Sequence, residues 1–399
     1  MSETVTVEAS DGETIISTEN VQESKLESYG ELIVNMKSSD LPLDYYRSFF
    51  SSKKNCFTGR DIVMWLVKHR DVEYKDATAL ADRLISIGVV VEYKNRKRAF
   101  NVDNRYRLII DTEQNGVLNV FHVGENFAVD YVCAVKAANN LRIAITGLYT
   151  KFLNEYGSQI DYEQLQRSKE FNVDYRNAVY MLKFAKLIDL NDVERKCFFI
   201  NIYNTLMING LLVYGKPRSI LQKKNFYNIC KYNIGGHLFS LNDIEHGVLR
   251  ANRKPVGALK RCFGGKDIRR MYITTLFDPR IHFALNCGAK SCPPIRAYVP
   301  EKLDYQLDLA SRNFCDGEVV VDEKNKVVSM SKIFQWYKDD FGNSDVELLN
   351  HVRGYIDDKE IRDSLVRLLQ TGKVRVKYHY YDWSLNELDM SASSNENTE

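Results

Sequence analysis

The sequence has no Cys-x-x-Cys. Its eight cysteines (Cys56, Cys133, Cys197, Cys230, Cys262, Cys287, Cys292 and Cys315) are scattered, and the nearest two, Cys287 and Cys292, stand as Cys-x4-Cys with no second tight pair. That spacing is at the wide end for a zinc finger and atypical for a thiol–disulfide redox motif. A basic start followed by an apolar run is also missing, so no secretory signal is expected, and the thiols read as reduced and cytosolic. The longest apolar run, Cys197–Val213, is short for a membrane span and holds three asparagines and a threonine. It reads as a buried core helix, with no transmembrane segment expected. No cofactor motif is found, and no metal ligand set is assigned.

Strong net charge is lacking too, yet the total of +2 hides an asymmetry. Residues 1–29 carry seven acids and one base, and residues 386–399 carry four acids and no base. The body between them is therefore about +12. Both ends are rich in Ser, Asn, Glu and Thr, so 1–30 and 387–399 are expected to be disordered acidic tails. A basic body suits an anionic membrane surface or a solvated exterior.

Between residues 31 and 111 the signals are local and dense. In NCFTGRDIVMWLVKH, Thr58 stands as an N-cap before a helix with Ile62, Val63, Trp65 and Leu66 at helical spacing. DATALADRLISIGVVVEY places Ala77, Leu80, Ala81, Leu84 and Ile85 on one face, and Gly88 terminates the helix. Val89–Tyr93, a charged KNRKR tip and Ala99–Val102 predict a β-hairpin. These motifs, in this order over about eighty residues, resemble the DEP domain, the winged-helix-like module shared by Dishevelled, pleckstrin and regulators of G-protein signalling. The resemblance implies no enzymatic activity here. It implies intracellular signalling, with docking on anionic phospholipid or on the tail of a signalling protein. The candidate contact residues are Lys53, Lys54, Arg60, Lys94, Arg96, Lys97 and Arg98. Each base near an anionic leaflet contributes about 1 kcal/mol. No polar recognition helix is evident, so nucleic acid is not an expected partner.

Residues 112–190 predict a helical connector, with Val132, Val135, Leu141, Ile143, Ile145, Leu148 and Phe152 at helical spacing. Residues 191–386 follow as a larger unit. Asn191 or Asp192 caps the apolar helix, on which Asn201, Asn204, Thr205 and Asn209 form one stripe. Buried amides need partners, so this stripe either lines a polar cleft or ties loops to the helix. Ser240 or Asn242 caps a further helix that carries His246 and Arg250 on one face. Ile281–Asn286 alternates and predicts a strand ending at Cys287. A hairpin across GEVVVDEKNKVVSMS, a Ser331-capped helix and a last strand with Val374, Val376 and Tyr378 complete the unit.

The motifs FFINIYN, SLNDIEHGVLR, DPRIHFALNCGAKSCPP, SKIFQWYKDDFG and YYDWSLN, in that order, resemble the family called domain of unknown function 547. The fold expected overall is α+β: a small winged-helix-like DEP domain, a helical connector, and a larger α+β domain with a buried apolar helix and a mixed sheet.

Four readings of Cys287 stay open. It is a nucleophile served by His246 or His282 and oriented by Asn201, Asn204 or Asp278, as in papain-like or transglutaminase-like chemistry. It is a zinc ligand, half of a redox pair with Cys292, or a small buried hydrophobe in a structural corner. The first reading makes the chain a cysteine-dependent hydrolase or transferase. The last makes it a cytoplasmic adaptor, peripheral to the plasma membrane.

Overall fold

The computed structural model describes residues 32, 35–37, 39–47, 52–86, 90–92, 100–108, 116–119, 132–217 and 220–388. Residues 1–30 and 389–399 of the two acidic tails, Gly88 and the bases Lys94, Arg96, Lys97 and Arg98 lie outside the described residues, whereas Glu387 and Leu388 are bound to Ile160 rather than disordered, Leu388 N donating to Ile160 O at 2.9 Å. Of Lys53 and Lys54 the backbone alone is described.

The amino-terminal unit begins with strands β1 (Asp44–Arg47) and β2 (Ser52–Thr58), followed by helices α1 (Gly59–Arg70) and α2 (Tyr74–Ser86). Thr58 starts α1 as expected. Its hydroxyl accepts from Asp61 N at 3.1 Å, while its own N–H donates to the Asp61 carboxylate at 2.6 Å. Ile62, Val63, Trp65 and Leu66 are buried against Ala77, Ala81 and Leu84 of α2, the apolar faces read from the periodicity. Trp65 belongs to this core and donates Nε1–H to Ser39 Oγ at 2.6 Å.

The hairpin differs from expectation. Strand β3 (Val90–Glu92) pairs antiparallel with β4 (Arg105–Leu108), and the sheet order is β1-β2-β4-β3. The return arm sits later than Ala99–Val102 because residues 101–104 cap α1. Val102 O accepts from Arg60 N at 2.8 Å, and Asn104 O accepts from Gly59 N at 2.9 Å. These bonds satisfy orphan donors of the helix start. Arg60 itself is exposed, 3.5 Å from Asp103.

Helix α3 (Ala134–Phe152) and the shorter helices up to Asp189 pack onto the following unit. Leu141, Ile145, Leu148 and Phe152 share one hydrophobic core with the following unit, whereas Val135 and Ile143 are exposed. Helix α4 (Asp192–Tyr214) runs through that core. Asn191 caps it in a reciprocal box with Glu194, and every residue from Cys197 to Val213 is buried. Its length and apolarity would suit a membrane span, but here the apolar window is covered by protein.

The stripe on α4 clamps loops. Asn201 donates to Tyr298 O and accepts from Tyr298 N, both at 2.9 Å. Asn204 donates to Ala284 O at 2.9 Å and accepts from Asn286 N at 2.9 Å. Asn209 donates to the Tyr232 hydroxyl at 2.9 Å, and Thr205 donates back to Asn201 O. Each of these polar side chains has a partner inside the core, the condition that lets it be buried, and Asn209 Oδ1 is the one atom of the stripe left without one.

After α5 (Ile220–Ile229), strands β5 (Lys231–Ile234) and β6 (His237–Ser240) form a hairpin about the Gly235–Gly236 turn. Helix α6 (Leu303–Glu318) leads to a three-stranded mixed sheet of the expected kind. Strand β8 (Val327–Met330) pairs antiparallel with β7 (Val320–Asp322) and parallel with β9 (Arg375–Tyr378). Helix α7 (Lys332–Trp336), capped by Ser331, packs Ile333 and Phe334 into this second core.

Ile281–Asn286 corrects the strand reading. Pro279–Phe283 is a 3-10 turn begun by Asp278, whose carboxylate accepts from Arg280 N. Alternation misled because Ile281, His282, Phe283, Ala284, Leu285 and Asn286 are all buried, so no solvent face exists.

Replacing Asn204 by Ala strands two buried backbone groups. The expected loss of stability in urea is about 2–6 kcal/mol, at about 1–3 kcal/mol per orphaned group. Accelerated hydrogen exchange at Asn286 and Gly288 should accompany it. Wild-type unfolding of Asn204→Ala would refute the clamp.

Candidate functional site

A cavity of about 590 Å³ opens between the Asp243–Leu249 turn, the corner 282–293, helix α7 and the segment 381–383. Cys287, His246 and His282 all line it. Asn201 and Asn204 do not, and their amides are occupied by loop backbone, which corrects their placement as orienting groups of a catalytic set. Asp278, the third candidate orienter, pairs with Arg280 at 2.9 Å and Lys196 at 3.4 Å and meets neither imidazole.

The corner is built on Asn286. Its Nδ2 donates to Pro293 O at 2.8 Å, and its Oδ1 accepts from Gly288 N at 2.7 Å. Gly288 has φ 76°, and a Cβ there would lie 2.5 Å from Leu211 Cδ1, so glycine is required twice over. The turn brings Cys292 Sγ to 3.1 Å from the donating Cys287 N–H. The Tyr381 hydroxyl lies 3.5 Å from Cys287 Sγ and 3.2 Å from Cys292 Sγ. Donation from Cys292, Tyr381 and the Ala289 N–H holds the Cys287 thiol below its ordinary value, against burial. Burial and the neighbouring Cys287 push the Cys292 thiol up. Trp336, Tyr381 and Trp383 make an aromatic wall with ring separations of 4.7–5.4 Å.

Opposite the thiol, Ser240 caps the turn that carries Glu245 and His246 by accepting from Asp243 N at 3.1 Å. This turn is wound as a π-helix, a form often found at functional positions. Glu245 accepts from the Tyr203 hydroxyl at 2.9 Å and the Tyr337 hydroxyl at 2.5 Å. Burial pushes its carboxyl up, but His246, Tyr337, His282 and Arg250 outweigh that and leave it below the usual carboxylate value.

Asp340 supplies the second carboxylate. It accepts from Arg250 Nε at 2.6 Å, Arg253 Nη1 at 2.7 Å and His282 Nε2 at 2.8 Å. A carboxylate only accepts, so His282 carries its proton on Nε2 and leaves Nδ1 as the lone pair. Arg250 Nη1 only donates, and it donates to His246 Nδ1 at 2.9 Å. Neutral His246 therefore bears its proton on Nε2, which lies 3.6 Å from Glu245. Burial pushes both imidazoles below 6.5, with Glu245 opposing it at His246 and Asp340 opposing it at His282. Among the described residues neither ring hydrogen-bonds Cys287, and no cluster of His, Cys, Asp and Glu is arranged to hold a metal ion.

Residues 187–315 match the family model described as "Protein of unknown function, DUF547". The matched stretch contains Glu245, His246, His282, Cys287 and Cys292, while Asp340, Tyr337 and the aromatic wall lie beyond it. No match to a DEP-domain model was found over the amino-terminal unit. No curated protein and no solved structure matches the chain.

Sequence reasoning missed Glu245, Asp340, Tyr203, Tyr337 and Tyr381. Glu245 was legible as the neighbour of His246. Asp340 lies 58 residues from its histidine and carried no local signal.

Two outcomes follow from the protonation states. The unfolded chain binds more protons than the folded one just below pH 6.5, so stability holds above about 6.5 and falls as pH drops. Urea midpoints measured from pH 7.5 to 5.5 should decline, and His282→Gln should flatten the slope. A pH-independent midpoint would count against buried neutral rings. Iodoacetamide near pH 7 should alkylate Cys287 and the exposed Cys133. It should spare Cys197 and Cys262, each pushed up to about 12 by burial. Peptide mass spectrometry reads the difference.

Proposed function

We propose that the carboxy-terminal unit is a cysteine-dependent hydrolase or transferase acting on an acyl group, and that the amino-terminal unit delivers it to its place of work in the cytoplasm. One observation carries the reading: Cys287, His246, His282 and Glu245 face a single open cavity, each held away from its ordinary titration behaviour. The Cys287 thiolate attacks the carbonyl carbon. The bond to the leaving oxygen or nitrogen breaks, and that group takes up the proton given up by the Cys287 thiol, so the neutral His246 keeps its Nε2–H. Water then attacks the thioester while His282 Nδ1 takes its proton and Asp340 steadies the resulting imidazolium. The sulfur leaves as thiolate, the acid departs, and the His282 imidazolium returns its proton to the sulfur.

The delivery half rests on the DEP-like order of the amino-terminal elements, in which Thr58 caps α1 and β3 pairs with β4. A second reading, favoured by the lack of a hydrogen bond between Cys287 and either imidazole, keeps the cavity as a binding pocket in a signalling adaptor without turnover.

A thiol-directed acyl probe decides between them. Wild-type protein should form a thioester at Cys287 that hydrolyses over time. Cys287→Ala should not label, and His282→Gln should label but turn over at least tenfold more slowly. Absence of labelling in folded wild-type protein would leave the adaptor reading.

A further inference from the structure

The segment from Arg253 to Leu276 holds seven basic residues and one acidic, a net charge of +6. Two of the bases are engaged. Arg253 pairs with Asp340 at 2.7 Å, and Arg269 bridges Asp243 at 3.0 Å and Asp267 at 2.8 Å. Lys254, Lys260, Arg261, Lys266 and Arg270 are exposed and have no carboxylate partner among the described residues. Interleaved with them, Val256, Leu259, Ile268, Met271 and Leu276 are exposed, and Leu259 is 91% exposed. Exposed aliphatic residues recurring between unpaired bases mark an interaction surface more than scattered surface apolarity does.

The fold projects this segment deliberately. Ala251 and Asn252 take φ 50° and 57°, a strained choice for residues with a Cβ. Asn252 then clamps Phe263 across the loop, donating to its O at 2.9 Å and accepting from its N at 3.0 Å. The Phe263 ring packs where any Cβ on Gly247 would come within 2.5 Å, and the Arg269 guanidinium lies 4.5 Å above it. In the loop between these clamps Pro255, Gly257 and Ala258 form one wall of the cavity, and Val256 and Lys260 stand at its rim, exposed to solvent as well. The loop's outer side is the exposed apolar and basic surface. Two acids border it among the described residues: exposed Asp339, whose backbone O accepts from Arg253, and half-buried Asp192, whose carboxylate accepts from Thr275 N.

We propose that the 253–276 segment is an interfacial docking surface for an anionic phospholipid bilayer, holding the cavity mouth at the membrane. Bases meet anionic headgroups while Leu259 and Val256 enter the headgroup–acyl boundary. Nucleic acid would use the bases but not the aliphatic side chains, since its interfaces are polar. These bases are separate in sequence from Lys94, Arg96, Lys97 and Arg98. If the acyl-transfer reading also holds, the substrate is an acyl group presented from the lipid phase.

Flotation of the full chain tests this with phosphatidylcholine vesicles, with and without about one third phosphatidylserine. Binding is expected only with phosphatidylserine and should weaken at high salt. The pair Val256→Asp and Leu259→Asp should lower the bound fraction about tenfold, as should charge reversal of Lys260, Arg261, Lys266 and Arg270. Reversal of Lys94, Arg96, Lys97 and Arg98 should leave most of the binding. Leu259→Trp gives an independent readout, a blue shift of emission on vesicle addition. Equal binding to neutral vesicles, no binding at all, loss confined to the hairpin variant, or an unshifted Trp spectrum each overturns the proposal. Acyl-probe labelling at Cys287 without vesicles reports the cavity chemistry separately, so either reading can fail alone.

Discussion

Asp340 is the group on which the site depends. A buried carboxylate costs several kcal/mol unless charge and hydrogen bonds compensate it. Here Arg250, Arg253 and His282 do so from two different stretches of chain. In return the carboxylate fixes the proton of His282 directly and that of His246 through Arg250. One ion therefore sets the tautomers of both imidazoles and locks the Lys338–Phe341 helix against the Asp243–Leu249 turn. Removing it would leave two cations near the cavity without their counter-charge.

The second constraint is the amide stripe of α4. A helix with no solvent face could pack as a plain hydrophobic rod, yet it carries Asn201, Asn204 and Asn209. Each fixes a distant group in register: Tyr298, the 284–286 backbone and Tyr232. Because Asn286 in turn holds Gly288 and Pro293, the position of Cys287 is inherited from α4 through two amides. The cavity is thus a by-product of polar specificity inside an apolar core, in line with the stakes of buried networks.

Much of the local architecture was legible. The caps at Thr58, Asn191, Ser240 and Ser331 start their elements as read, and the buried faces of α1 and α2 follow the periodicity. The mixed sheet and the buried α4 were legible as well. The failures share a cause. Ile281–Asn286 alternates like a strand but is buried all round, and the hairpin return slid to Arg105 because residues 101–104 were needed as a helix cap.

Short-range sequence signals suffice for the capped helices, the acidic ends about a basic body, and the presence of His246, His282 and Cys287 within one unit. Those follow from hydrogen bonds and periodicities that span a few residues. Tertiary structure alone decided that the three line one cavity, that the asparagines serve backbone rather than chemistry, and that the partner carboxylate is Asp340 instead of Asp278. Such pairings join residues about 60 to 100 positions apart, and no short-range rule carries information over that separation.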